Sequence, residues 1–324
     1  MTRTVRRFLL VLALGAIVAG TVPATSSALS VGIGEQDPGI FNTRLFSELK
    51  LKKARVFPSW NVALIPNQRA ALDAWMNAAR AKGVEPFVSF NPSAGSRCPR
   101  RPCRLPTVRQ FTRAFQAFRR RYPFVRTVNP WNEANHRTQP TFASNRSLKR
   151  RRWKGPKRAA QFFNVVRRNC RGCRIVAADV IDEANMVPWI RVFRRYARGA
   201  RRWGLHNYRD TNPRRGQVFG GTRKLTRAVR GQIWLTETGG IVKFVLPNRR
   251  TLFRNSERRA NTATKRMFRL ARRYRGRIKR LYIYHGQQSA RNNRFDAGLL
   301  RRNGTPRPAY NTVRQQLRSP LFNP

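Results

Sequence analysis

Eight short runs of apolar, β-type residues alternate with longer amphipathic segments along this chain, and that alternation leaves few folds open. The runs are Ser30 to Gly34, Ala54 to Pro58, Pro86 to Phe90, Val125 to Pro130, Arg174 to Val180, Trp203 to Tyr208, Gln232 to Thr236 and Leu281 to His285. Most are continuously apolar rather than alternating, as expected of strands covered on both faces. The segments between them carry helical periodicity. Asn67 to Lys82 places Ala70, Leu72, Trp75, Ala78 and Ala79 on one face and then meets Gly83. Thr107 to Arg121 spaces Phe111, Phe115 and Phe118 at i, i+4 and i+7, and Pro156 to Arg168 and Asn261 to Tyr274 follow the same rule. These aromatics are read as core. Eight strands alternating with helices predict an α/β fold, a single-domain (β/α)8 TIM barrel over 29–324, with its site at the C-terminal ends of the strands.

Residues 1–28 read as a secretory signal. Arg3, Arg6 and Arg7 precede the apolar stretch Phe8 to Gly20, and Ser26-Ser27-Ala28 offers small residues for cleavage near Ala28. No later run is long and apolar enough for a transmembrane helix. The mature chain is therefore expected to be a soluble monomer, secreted or associated with the cell envelope.

The chain has 13 Asp+Glu against 69 Lys+Arg, for a formal net charge of +56. Clusters such as Arg272-Arg273-Tyr274-Arg275 suit polyanions, among them cell-wall polymers, acidic polysaccharide and nucleic acid. The arginines are spread along the whole chain, whereas a dedicated nucleic-acid binder concentrates them in one stripe or tail. Against this background an acid at the end of a buried strand needs a reason, and there are two. Glu133 lies in Asn129-Pro130-Trp131-Asn132-Glu133-Ala134-Asn135-His136, after strand four, and Glu237 lies in Ile233-Trp234-Leu235-Thr236-Glu237-Thr238-Gly239-Gly240, after strand seven. The barrel rule puts both on one face, where a carboxyl pair can cleave a glycosidic bond. Asp179 and Asp182 follow strand five and could line the site, but helix capping is the favoured reading. No cluster has convincing metal spacing and no Gly-rich phosphate loop is present, so neither metal nor cofactor is expected.

Four cysteines form two local pairs, Cys98 with Cys103 and Cys170 with Cys173. The first pair follows strand three on the site face and the second precedes strand five on the opposite face. Cross-pairing would need Cα atoms within about 7 Å, which the height of a barrel forbids, so two local disulfides are expected.

These residues together resemble clan A, the retaining glycoside hydrolases with (β/α)8 barrels. Members carry an Asn-Glu pair after strand four, matched by Asn132-Glu133, and a second Glu after strand seven, matched by Glu237. Arg55 looks like the clan's strand-two arginine, and His206 and Tyr208 end strand six where members place a His and a Tyr. Asp296-Ala297-Gly298-Leu299-Leu300 and Arg307-Pro308-Ala309-Tyr310 look like the segment after strand eight. The sequence departs from the clan at Tyr284-His285-Gly286, where many members place a Trp. The resemblance implies Glu133 as acid/base, protonated at rest, and Glu237 as nucleophile, in a hydrolase that cleaves O-glycosidic bonds of a polysaccharide or oligosaccharide by double displacement. Asn132 is then placed for the sugar 2-hydroxyl, and Arg55, His206, Tyr208, Trp60, Trp131 and His285 are candidate substrate contacts. The rival reading is a non-catalytic barrel or a polycationic protein that binds anionic glycan or nucleic acid.

Overall fold

The computed structural model describes residues 28–96, 98, 100–142, 154–214, 219–288 and 294–324. The signal-peptide reading covers residues 1–28, of which 1–27 lie outside the described residues. The eight expected strands are present, at Leu29–Gly34, Lys53–Val56, Glu85–Ser89, Thr127–Asn129, a fifth in two pieces (Arg174–Ile175 and Asp179–Ile181), Arg202–His206, Gln232–Thr238 and Ile278–Tyr284. All their pairings are parallel. Strands one to four pair in sequence, and the eighth sits between the first and the seventh. The fifth closes the ring. Its first piece pairs with strand four (Thr127 opposite Arg174), and its second pairs with strand six (Asp179 opposite Gly204). Between the pieces, the Val176 N–H donates to Val128 O at 2.9 Å and the Ala177 N–H donates to Arg202 O at 2.8 Å. The chain therefore switches partners within two residues, and the switch interrupts strand five where the sequence shows one continuous apolar run.

Helices Pro66–Ala81, Val108–Arg121, Lys154–Asn169, Met186–Tyr196, Gly221–Ala228, Glu257–Arg273 and Pro308–Gln316 cover the barrel. Local chemistry sets their ends. Thr107 forms a capping box with Gln110, and Gly83, at φ 64°, follows helix Pro66–Ala81 in a conformation that favours glycine. Phe111, Phe115 and Phe118 are buried against the strands, and burying each ring stabilises the fold by about 2 kcal/mol. Inside the barrel, Phe87, Val176, Trp234 and Tyr282 form a separate cluster. Two features have no counterpart in the sequence reading. One is a three-stranded antiparallel sheet of Lys243–Val245, Thr251–Phe253 and Phe295–Asp296. The other is a C-terminal strand, Phe322–Asn323, that extends the sheet beside strand one. Both expected disulfides form, Cys98–Cys103 and Cys170–Cys173.

Candidate active site

Glu133 and Glu237 meet at the C-terminal mouth of the barrel. Each offers a carboxylate oxygen, and His206 a ring nitrogen, such that the three atoms lie within 4.8 Å of one another. Glu133 sits on a turn rather than in strand four. Its φ is 45°, left-handed backbone that costs a residue with a side chain on the order of 1 kcal/mol. Main-chain bonds pin this turn on both sides: the Asn132 N–H donates to Phe90 O at 2.7 Å and the Ala134 N–H donates to Asp179 O at 2.8 Å. Asn135 is buried behind it and bridges both backbone groups of Ile181 through its side chain. Strands three and five thus hold the acid in place. Glu237 lies inside strand seven, which runs two residues further than the sequence reading put it.

Arg55 organises the mouth from strand two. It is fully buried, and its guanidinium donates to Glu237 Oε2 at 2.9 Å, to Asp179 Oδ2 at 3.0 Å and to Asn132 Oδ1 at 2.5 Å. Burial opposes its charge, but Asp179 and Glu237 outweigh burial and raise its pKa. Tyr208 donates to the other Glu237 oxygen at 3.1 Å. Burial and the Glu237 charge push the Tyr208 phenol well above its ordinary value, so it remains a donor. Glu237 is in this way held with one oxygen on a cation and the other on a hydroxyl.

His206 lies between the two glutamates and Asp179. Its Nδ1 is 3.1 Å from Glu133 Oε1 and 3.7 Å from Glu237 Oε2, and its Nε2 is 3.3 Å from Asp179 Oδ2. Burial disfavours the imidazolium, yet Glu237, Asp179 and Glu133 together raise its pKa to about 10. Burial likewise favours neutral Glu133, but the His206 charge beside it wins and holds Glu133 below the usual carboxylate range. This corrects the expectation that Glu133 carries the proton at rest. Three carboxylates converge on a single buried imidazole, and they favour the charged form of His206, one hydrogen bond from Glu133.

Of the two readings of Asp179, helix capping gives way to the site. Asp179 is fully buried in the second piece of strand five, and it accepts from Arg55, Ser89 and Thr236 as well as facing His206. Burial raises its pKa, but His206 and Arg55 outweigh this and bring it to about 2. A depressed carboxyl stabilises the fold above its unfolded pKa near 4, and this contribution disappears as pH falls through about 2. His206 works in the opposite sense. Its contribution is complete below an unfolded pKa near 6.5 and is lost as pH rises through about 10. Asp179→Asn leaves Arg55 and His206 buried against one carboxylate fewer. It is expected to lower unfolding free energy by about 3 kcal/mol at neutral pH, measurable by denaturant titration, with most of the loss gone near pH 2. Asp182, the second acid read as a cap, accepts the Arg209 N–H at 2.9 Å, and burial raises its carboxyl well above the ordinary range.

The other candidates fall at different depths. Asn132 is in the site, with Oδ1 taken by Arg55 and Nδ2 donating to Asn91 at 3.0 Å. Trp60 is half-buried beside it, stacked on Phe111 and tied through its backbone N–H to Asn91 O. His285 follows strand eight, but its Nδ1 faces Glu35 at 4.0 Å rather than the carboxyl pair. Trp131 is corrected to core. It is 1% exposed, stacks on Phe162 and donates its indole N–H to Gln139 at 3.0 Å, which leaves no face for a ligand. Two acids that now matter had weak signals. Asp179 is the lone acid in an apolar run, and Glu35, just past strand one, is buried and accepts four backbone N–H groups from Gln36, Asp37, Gly286 and Gln287. Among the described residues, Glu133, His206 and Glu237 form the one grouping with metal-ligand proximity. The fixed charge of Arg55, 2.9 Å from Glu237, opposes a further cation there.

The chain matches no family model and no curated protein. Solved structures share its fold. Xylanase B from Clostridium stercorarium F9 superposes with a TM-score of 0.59 at 14% identity, covering 88% of this chain and 96% of the xylanase. A psychrophilic glycoside hydrolase family 10 endo-β-1,4-xylanase gives 0.61 at 13% identity, covering 89% and 96%. Bacteroides uniformis β-glucuronidase 2 gives 0.62 at 14% identity over 90% of this chain and 35% of that larger protein. At this identity the likeness establishes the (β/α)8 barrel.

Proposed function

We propose that the chain is a retaining glycoside hydrolase that cleaves O-glycosidic bonds of a polysaccharide or oligosaccharide. The observation that carries this reading is the carboxyl pair, with oxygens of Glu133 and Glu237 within 4.8 Å at the barrel mouth. Retaining enzymes keep their two carboxyl groups about 5–5.5 Å apart, whereas inverting ones need about 6.5–9.5 Å to admit a water. The barrel likeness to xylanases and a glucuronidase points the same way. Glu237, fixed by Arg55 and Tyr208, attacks the anomeric carbon. Glu133 protonates the departing oxygen, and in the second half it takes a proton from water as that water displaces Glu237.

The resting charge pattern fits this cycle. Glu133 ionised beside protonated His206 has the same net charge as Glu133 protonated beside neutral His206. Transfer along the 3.1 Å hydrogen bond therefore arms the acid without moving charge into or out of the mouth. Asp179 Oδ2, 3.3 Å from Nε2, faces the ring from the other side in both states and keeps Nδ1 aimed at Glu133. Loss of the pair's single proton then sets the alkaline limit of kcat/KM. In His206→Asn the acid must hold its own proton, so that limit is expected to move down by more than one pH unit, read from a pH profile on a substrate with a poor leaving group. An unchanged limit removes His206 from the proton path.

We further propose export after cleavage near Ala28 and retention on anionic polymers through the basic surface. Among the described residues no helix is long and apolar enough to cross a membrane. A hydrolysis screen of the purified chain over aryl glycosides and polysaccharides, run beside Glu237→Ala, tests the activity. Turnover lost in the variant supports it, and turnover equal in both contradicts it.

A further inference from the structure

We propose that the arginine-lined groove on the barrel flank, between helices Gly221–Ala228 and Glu257–Arg273, binds a segment of anionic polysaccharide. The groove exists because the two covering helices are unequal. At 1.5 Å per residue, the 8-residue helix covers about 12 Å beside a 17-residue neighbour of about 25 Å. A cavity of ≈ 630 Å³ opens between them, lined by Arg209, Arg223, Arg266, Arg269 and Arg273. The last three lie at i, i+3 and i+7 of one helix and so form one stripe. Like charges at that spacing oppose the helix unless anions come between them. Among the described residues none of these five guanidiniums lies within 4.0 Å of a carboxylate. The one acid in the lining, Asp210, is committed elsewhere, since both its oxygens accept from the N–H groups of Gly221 and Thr222.

A planar guanidinium fork suits carboxylate, sulfate or phosphate groups, and several in a row suit a polymer that repeats them. The aromatic wall argues against nucleic acid. Single strands are held by bases stacked on open rings, but Phe219 is already engaged by Arg209, 4.7 Å from its centroid, and by Lys224 at 3.9 Å. The groove also begins in the segment after strand six, whose Tyr208 donates to Glu237. The choice of polysaccharide rests in this respect on the glycosidase reading, while the anion site does not.

The test compares two triple variants that remove the same charge. Arg266→Gln/Arg269→Gln/Arg273→Gln empties the stripe. Arg109→Gln/Arg113→Gln/Arg120→Gln removes three exposed arginines from helix Val108–Arg121. Binding to heparin, to polygalacturonate and to a DNA oligonucleotide is measured by titration from low to high salt, with melting curves to confirm folding. Arg209→Gln/Arg223→Gln, on the opposite wall, replaces the stripe variant if the latter does not fold. The groove variant is expected to lose at least tenfold in affinity for the sulfated or the carboxylated polymer, and to show a shallower salt dependence because fewer counterions are released. The helix Val108–Arg121 variant should change less than twofold. Equal losses in the two variants, no polysaccharide binding by the unmodified chain, or a groove that holds DNA more tightly than either polysaccharide overturns the proposal. Glu237→Ala should bind the polymers normally, so a failed groove and a failed catalytic assignment are told apart.

Discussion

Replacing Glu237 with alanine is expected to remove at least about 10⁴ of the turnover, the scale on which loss of a covalent nucleophile registers. Glu237 alone is in reach of Arg55 and Tyr208 at once, through separate oxygens. No other carboxylate in the mouth is presented in this way: Asp179 is enclosed by Arg55, Ser89, Thr236 and His206 and has no exposed side-chain surface. The loss should therefore fall on kcat rather than KM and should be equally deep for every substrate the chain turns over. Initial rates across the substrate panel check this. A variant that retains a tenth of the activity would show that the attacking group lies elsewhere.

Glu133→Ala should behave differently, and the difference is the more informative result. Protonation matters when the leaving group is a sugar alkoxide and matters little when it is a stabilised phenolate. A loss of about 10²–10⁴-fold is expected on glycans, with a far smaller loss in the first step on activated aryl glycosides. Equal losses on both classes would contradict the assignment of acid and nucleophile. Main-chain bonds from Asn132 and Ala134 hold the Glu133 turn, but its carboxylate also faces buried His206 at 3.1 Å, so melting curves accompany the comparison to separate lost folding from lost chemistry.

Periodicity made the eight strands and most helices legible, because a barrel strand covered on both faces reads as an apolar run whatever its neighbours. It did not reveal the break in strand five, since Val176 and Ala177 look alike whether they bond to strand four or to strand six. The carboxyl pair was legible because acids are scarce and each ends a run. What stayed hidden was the wiring between distant residues. Asp179 pairs with an arginine 124 positions earlier in the chain, and no local pattern records that contact. Trp131 erred in the other direction. It adjoins Asn132-Glu133, yet its ring turns inward onto Phe162 and Gln139, contacts that no local pattern records. The resting proton was misplaced for the same reason, since its position depends on three carboxylates that meet only in the folded barrel.

The carboxyl groups of Glu133 and Glu237 lie too close to admit a water between them and a sugar. The most direct measurement is the anomeric configuration of the first product released, followed by proton NMR from the earliest turnovers of the best substrate in the panel. Net retention, before mutarotation scrambles the signal, is the predicted result. Release of the inverted anomer would contradict it and would mean that Glu237 does not form the glycosyl bond.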